Sequence, residues 1–175
     1  MIDVLHRDRD ALYRFALGIL RDRAEAEDAL QDAFLRIASM TADEASPIEN
    51  PRAWVFRVLR NLCIDRIRFR RRMQETRRDP QFAALVHPVD SSVANPETRL
   101  VAGDALARVT SAMDRLPPDE AEVLSLVVSE GLSYAETAYV TGVPVGTVRS
   151  RLHRARRMLR AMLDDPKDDA RSERP

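Results

Sequence analysis

The sequence predicts an all-α protein made of two small helical domains joined by a flexible linker. Three observations carry this. Apolar residues recur at three- and four-residue spacing on both sides of a central gap. The gap, residues 76–97, loses that period and contains Pro80, Pro88 and Pro96. The chain also has only five glycines and 5% aromatic residues, a poor composition for a β-sandwich or barrel. With 175 residues and 45% hydrophobic content, there is enough apolar material for two modest cores.

The first domain, residues 1–75, opens with a predicted helix over 3–20, where Leu12, Phe15, Ile19 and Leu20 have helical spacing. A second helix spans 24–40. A polar loop follows over 41–50, containing Pro47. Asn50 then reads as an N-cap with Pro51 at the first helical position, and a long helical pattern continues to about Arg72. The second domain, residues 98–163, begins with a helix stopped by Pro117-Pro118. A helix over 119–130 ends at Gly131, and two more cover 133–141 and 145–163. Residues 164–175, with Asp164, Asp165, Asp168 and Asp169, read as a disordered tail.

Charge is zero overall but unevenly placed. Residues 52–78 hold ten arginines against Asp65 and Glu75, a net of +8. Residues 149–160 hold six arginines and no acid. Two concentrated basic segments on an acidic background fit a DNA binder with a separate protein-facing surface. The single cysteine, Cys63, excludes an internal disulfide and a multi-cysteine metal site; it reads as buried packing. No apolar run reaches the roughly 20 residues needed to span a bilayer. The charged N-terminus lacks a secretory apolar segment. A cytoplasmic protein without membrane insertion is expected.

Ser133 and Glu136 form a capping-box pattern, and Gly142 suits the end of the helix they start. A turn of about three residues leads to Pro144, placed to open the next helix. This spacing suits a helix-turn-helix. Advancing 100° per residue, Val148, Leu152, Ala155 and Leu159 cluster on one side of the second helix. Arg149, Ser150, His153, Arg154 and Arg157 fall opposite. Arginine can chelate O6 and N7 of guanine, and the remaining arginines can neutralise phosphates. The bland alternative is a solvated basic helix, which leaves six like charges uncompensated within 149–160.

In the first domain, Asp28, Gln31, Asp32 and Leu35 share one helix face, with Leu30, Phe34 and Ile37 opposite. Acids near a helix N-terminus also suit the macrodipole, so chemistry alone leaves simple helix stabilisation open. In the third helix Trp54, Val58 and Leu62 share a stripe, which favours a core role for Trp54 over a base-stacking one. Asn61 offers both a donor and acceptors to a base edge; the alternative is a helix-terminal cap.

Residues 132–156, above all Pro144-Val-Gly-Thr-Val-Arg-Ser-Arg151, resemble region four of the extracytoplasmic-function (ECF) sigma factors of bacterial RNA polymerase. Residues 26–36 resemble the family's region-two docking motif, and residues 50–68 its promoter-melting segment. Together the resemblance covers roughly 5–72 and 98–163. It implies that Arg149, Ser150, His153 and Arg154, with Arg151 and Arg157 beside them, contact the minus-thirty-five duplex. It also implies that Trp54, Arg57, Arg60, Asn61 and Arg66 hold the melted minus-ten strand, Asn61 reading a flipped-out base. Single strands are held by stacking platforms and basic grooves of this kind. Arg57, Arg60, Arg66, Arg68, Arg70, Arg71 and Arg72 read as backbone contacts, although some could pair with a neighbouring acidic face.

By the same resemblance Asp28, Gln31, Asp32 and Leu35 dock on the β′ clamp helices of core RNA polymerase. The implied partners are core polymerase (β′ clamp helices and β flap), promoter DNA and an anti-sigma factor. Departures from the family pattern include His153, where some relatives carry an aromatic residue. Thr137 replaces a more usual aliphatic residue, and Ala29 and Ala38 are smaller than the leucine and tryptophan often found there.

No catalytic, cofactor or metal constellation is recognisable: there is no Walker loop, GxGxxG or HExxH, and the three histidines are scattered. The rival readings are a stand-alone helix-turn-helix regulator, a DNA-processing enzyme such as a serine recombinase, and a sigma-like decoy that sequesters an anti-sigma factor. The first leaves the Asp28–Leu35 face unexplained. The second needs an N-terminal nucleophile in an α/β domain, yet the first serine is Ser39.

Overall fold

A computed structural model describes residues 2–45, 47–77 and 104–164. Its helices group into two compact units. The first contains α1 (Ile2–Arg7), α2 (Arg9–Leu20), α3 (Arg23–Ala38), the short α4 (Ala42–Ala45) and α5 (Pro51–Arg77). The second contains α6 (Asp104–Asp114), α7 (Pro118–Leu124), a π-helical turn (Ser125–Ser129), α8 (Tyr134–Thr141) and α9 (Val145–Asp164). There is no strand among the described residues, and the predicted all-α class holds. Thr76 and Arg77, predicted as linker, still belong to α5. The rest of the predicted linker, residues 98–103 and the tail beyond Asp164 lie outside the described residues.

The first unit is held by apolar faces of α2, α3 and α5. Phe15 of α2 and Phe56 of α5 meet edge to face with ring centroids 5.3 Å apart, within the favourable range for aromatic pairs. Around them Leu12, Leu20, Ala26, Ala29, Leu30, Ala33, Leu59 and Cys63 are buried. The alanines of α3 let the helices approach closely, so the small Ala29 sits fully covered, while Ala38 lies outside the core.

Two local features differ from the sequence reading. The predicted helix over 3–20 is broken at Asp8. The bonds from Asp8 N to Val4 O and from Leu12 N to Asp8 O persist at 2.9 Å, so the break is a local kink. The Asp8 carboxylate makes no cap bond to α2; it accepts from Arg52 Nε at 3.0 Å, and that guanidinium lies over the Phe56 ring, 5.3 Å from its centroid. The start of α5 behaves as predicted, with Ala53 N donating to Asn50 Oδ1 at 3.0 Å. Inside the loop before it, the Thr41 amide donates to Glu44 Oε2 at 2.8 Å. That bond, helped by the Thr41 hydroxyl, holds the Glu44 carboxyl below its ordinary value.

In the second unit Leu116, Val123, Leu124, Val148, Leu152 and Ala155 form the core. The predicted helix over 119–130 changes winding at Ser125, where Glu130 N bonds Ser125 O in the π pattern. The segment ends at Gly131, whose φ of +67° is cheap only for glycine. The capping box of α8 is complete: Ser133 N donates to Glu136 Oε2 at 2.6 Å and Glu136 N to Ser133 Oγ at 3.2 Å. Gly142 caps the helix C-terminus at φ 72°.

Thr137 is fully buried and its hydroxyl has no hydrogen-bond partner among the described residues. A buried unsatisfied polar group costs about 1–3 kcal/mol, and valine has nearly the same shape. Thr137→Val is therefore expected to stabilise the second unit by about 1 kcal/mol. Circular-dichroism melting should show the midpoint rising by roughly 4–8 °C; an unchanged or lowered midpoint would mean that the hydroxyl is satisfied in solution.

Candidate nucleic-acid interface

Three surfaces can be built from the helices upward. On α3, helical geometry turns Asp28, Gln31, Asp32 and Leu35 away from the buried Ala26–Ala29–Leu30–Ala33 side, and all four are exposed. Leu35 is 62% exposed and stands beside two carboxylates. Phe34 is half-buried against His6, whose ring meets it edge to face at 5.3 Å.

The second surface lies on α5, 27 residues and about 40 Å long at 1.5 Å per residue. Trp54, Arg57 and Asn61 fall within about 60° of one another on this helix. Arg57 and Asn61 are exposed and Trp54 is half-buried. The buried side of α5 is Ala53, Val55, Phe56, Leu59 and Cys63. The expected core stripe Trp54–Val58–Leu62 is thus corrected: Val58 is buried, but Trp54 and Leu62 lie at the margin. Asn61 sits in mid-helix, with α5 continuing to Arg77, so the alternative of a terminal cap does not apply.

Arg66 is rotated by about 140° from Asn61 and belongs to a different contact. Its Nη2 donates to Asp32 Oδ2 at 2.6 Å, and its Nη1 lies 3.8 Å from Asp28. Four residues on, Arg70 Nη1 donates to Glu25 Oε2 at 3.2 Å. The side chain of Arg66 thus ties α5 to the carboxylate face of α3, in keeping with the pairing of some of these arginines with a neighbouring acidic face. Arg60, half-buried, is rotated by about 100° from Asn61.

The third surface is the outer side of α9. Val148, Leu152 and Ala155 are buried and Leu159 half-buried, while Arg149, Ser150, His153, Arg154 and Arg157 are exposed. The Ser150 hydroxyl donates back to Thr147 O at 2.9 Å, leaving its lone pairs available as acceptors. Arg151 differs: its side chain is only 17% exposed and pairs with Asp119. Arg154 Nη2 lies 3.2 Å from Glu120 Oε1. The segment 149–160 holds no acid of its own, and α7 supplies acids to two of its six arginines. Only spatial packing brings α7 onto α9; the one sequence sign was an acidic helix start after Pro117-Pro118.

Residues 4–73 match the family Sigma-70 region 2, and residues 106–159 match Sigma-70, region 4. The ECF RNA polymerase sigma factor EcfG of Rhodopseudomonas palustris is 35% identical over 153 residues, covering 87% of this chain and 79% of that protein. The chain belongs to the ECF sigma factors. SigW of Bacillus subtilis, another ECF sigma factor, is 29% identical to it over 93% of this chain and 88% of the relative. Among solved structures, the sigma factor RpoE, in a co-crystal structure with the anti-sigma factor NepR from Bartonella quintana, superposes with a TM-score of 0.62. That match is at 27% identity and covers 93% of this chain and 95% of the other. CnrH, solved in complex with the cytosolic domain of CnrY, gives a TM-score of 0.59 at 27% identity, covering 93% and 86%.

The function of this ECF sigma factor is accordingly in transcription initiation. Among the described residues no helix is long and apolar enough to cross a membrane. Nor is there, among them, a group of three or more histidines, cysteines or acids able to hold a metal ion.

Proposed function

We propose that the three surfaces divide the work of promoter opening. The exposed α3 face, Asp28, Gln31, Asp32 and Leu35, docks on the β′ clamp helices of core RNA polymerase, and the second unit reaches the β flap. The outer side of α9 grips the minus-thirty-five duplex through Arg149, Ser150, His153, Arg154 and Arg157. Arg151 braces that helix against α7 through its pair with Asp119. The stripe of Trp54, Arg57 and Asn61, flanked by Arg60, captures the unpaired minus-ten strand. Capture favours opening because the stripe binds the melted state preferentially, and a ligand shifts an equilibrium only by its differential affinity.

The observation that carries this reading is the separation of charge within the first unit. The carboxylates of α3 and the Trp54–Arg57–Asn61 stripe of α5, with Arg57 and Asn61 exposed, occupy different faces, so protein and DNA can be held at once. An anti-sigma factor is a fitting regulator, since the solved relative RpoE is held by one. Its binding would hide the same faces until the signal arrives. A cytoplasmic location follows from such work.

Run-off transcription tests the reading. Adding the purified chain to core polymerase is expected to permit initiation at discrete sites within a genomic promoter library. No initiation at any site would favour a decoy that sequesters an anti-sigma factor. Arg149→Ala is expected to lower promoter affinity by about 1–3 kcal/mol, the worth of one bidentate base contact. Transcript yield at limiting holoenzyme reads this directly, and a normal yield would remove Arg149 from the reading face.

A further inference from the structure

We propose that Glu120 is a positioning residue for sequence recognition, fixing the Arg154 guanidinium so that one base position is read by a pre-set side chain. The inference rests on the reading of α9 as the duplex-binding helix and extends it to a residue on α7 that does not face DNA.

Two ion pairs join the first turn of α7 to α9, and their exposures are inverted. In the Arg151–Asp119 pair the arginine side chain is 17% exposed and the acid 59%. The cation is covered there, so the contact braces two helices. In the Arg154–Glu120 pair the acid side chain is 11% exposed and the arginine 51%. A carboxylate so far from water needs a charged partner, and the backbone that carries it is stiffened by Pro117 and Pro118. Glu120 is therefore the fixed member and Arg154 the one reaching outward. Nη2 of the guanidinium lies 3.2 Å from Glu120 Oε1 as an ion pair. Its five-donor fork stays on the exposed side of α9, which also carries His153 and Arg157.

Arg149 and Arg157 make no ion pair among the described residues, so the anchoring of Arg154 is particular to that position. Bidentate recognition of guanine requires the plane of the fork to match the base edge. A fork already oriented loses less freedom on binding than one that must be ordered from solvent. Selectivity at the base facing Arg154 then depends on Glu120, although Glu120 never touches DNA.

The test uses the full chain bound to core polymerase, selecting from a duplex pool randomised throughout the promoter length. Arg154→Ala is expected to flatten preference at one upstream base position. Glu120→Gln keeps the volume and an acceptor but removes the charge. It is expected to flatten the same position by about fivefold or more, while total DNA affinity holds or rises because the Arg154 charge is no longer neutralised by its partner. Glu120→Asp, with charge kept and reach shortened, gives a second variant and should flatten that position in part. Wild-type preference in both Glu120 variants, with a lowered melting midpoint, would overturn the proposal and leave Glu120 as a brace. An unchanged profile in Arg154→Ala is a different result, overturning the assignment of Arg154 as a reader and the proposal with it.

Discussion

Replacing Phe56 with alanine is expected to destabilise the first unit severely and leave the second standing. Phe56 is fully buried, meets Phe15 edge to face and carries the Arg52 guanidinium over its ring. Truncating a buried phenylalanine costs about 3–5 kcal/mol, because the transfer and cavity terms add. A unit of this size has total stability of only about 4–11 kcal/mol at 0.05–0.15 kcal/mol per residue. At mid-range values about half of that margin disappears, and at the low end all of it. Trp54 is the only tryptophan in the chain and sits two residues away, so its fluorescence reports the first unit alone. The fluorescence midpoint in denaturant should collapse, while the circular-dichroism transition of the second unit keeps its position. A shared shift would show that the two units unfold together; no shift would remove Phe56 from the core.

The order and type of the helices are legible in the sequence because strong local signals mark them. Asn50-Pro51 starts α5, Ser133 and Glu136 box the start of α8, and Gly131 and Gly142 end their segments with positive φ. Winding defects are not legible this way. The kink at Asp8 and the π turn at Ser125–Ser129 interrupt helices whose apolar spacing continues through them. In α5, apolar residues at 54, 55, 56, 58, 59, 62 and 63 offer two overlapping stripes. Only packing against α2 and α3 selects the one through Phe56, Leu59 and Cys63, which leaves Trp54 at the margin.

The candidate surfaces are legible as faces but not as contacts. Helical spacing alone places Asp28, Gln31, Asp32 and Leu35 together, as it does Arg149, Ser150, His153, Arg154 and Arg157. Which arginines meet which acids depends on the register between helices, and the partners are far apart in sequence. Arg66 meets Asp32 across 34 positions, and Arg151 meets Asp119 across 32. A wheel drawn for one helix cannot hold that information. Two arginines grouped with DNA readers by motif, Arg66 and Arg151, also form ion pairs between helices in the folded chain.

Asp32→Arg is expected to weaken binding to core polymerase at least tenfold, since placing like charges against each other at an interface costs several kcal/mol. Asp32 is half-exposed at 49% and pairs with Arg66 at 2.6 Å. A pair this open contributes about 0–1 kcal/mol, so its loss leaves the unit folded, as circular dichroism should verify. The reversal also sets a new cation beside Arg66, making the face repel basic surfaces it formerly attracted. Two further variants separate docking from the pair. Asp32→Asn removes the charge without reversing it and should give an intermediate affinity. Arg66→Ala removes the partner but keeps both carboxylates, and should leave core affinity within about twofold, in line with the small worth of an exposed pair. DNA binding by α9 should be unaltered in all three. Wild-type affinity for Asp32→Arg would show that polymerase does not use this face, and an equal loss in Arg66→Ala would show that the pair, rather than the carboxylate surface, is what core polymerase recognises.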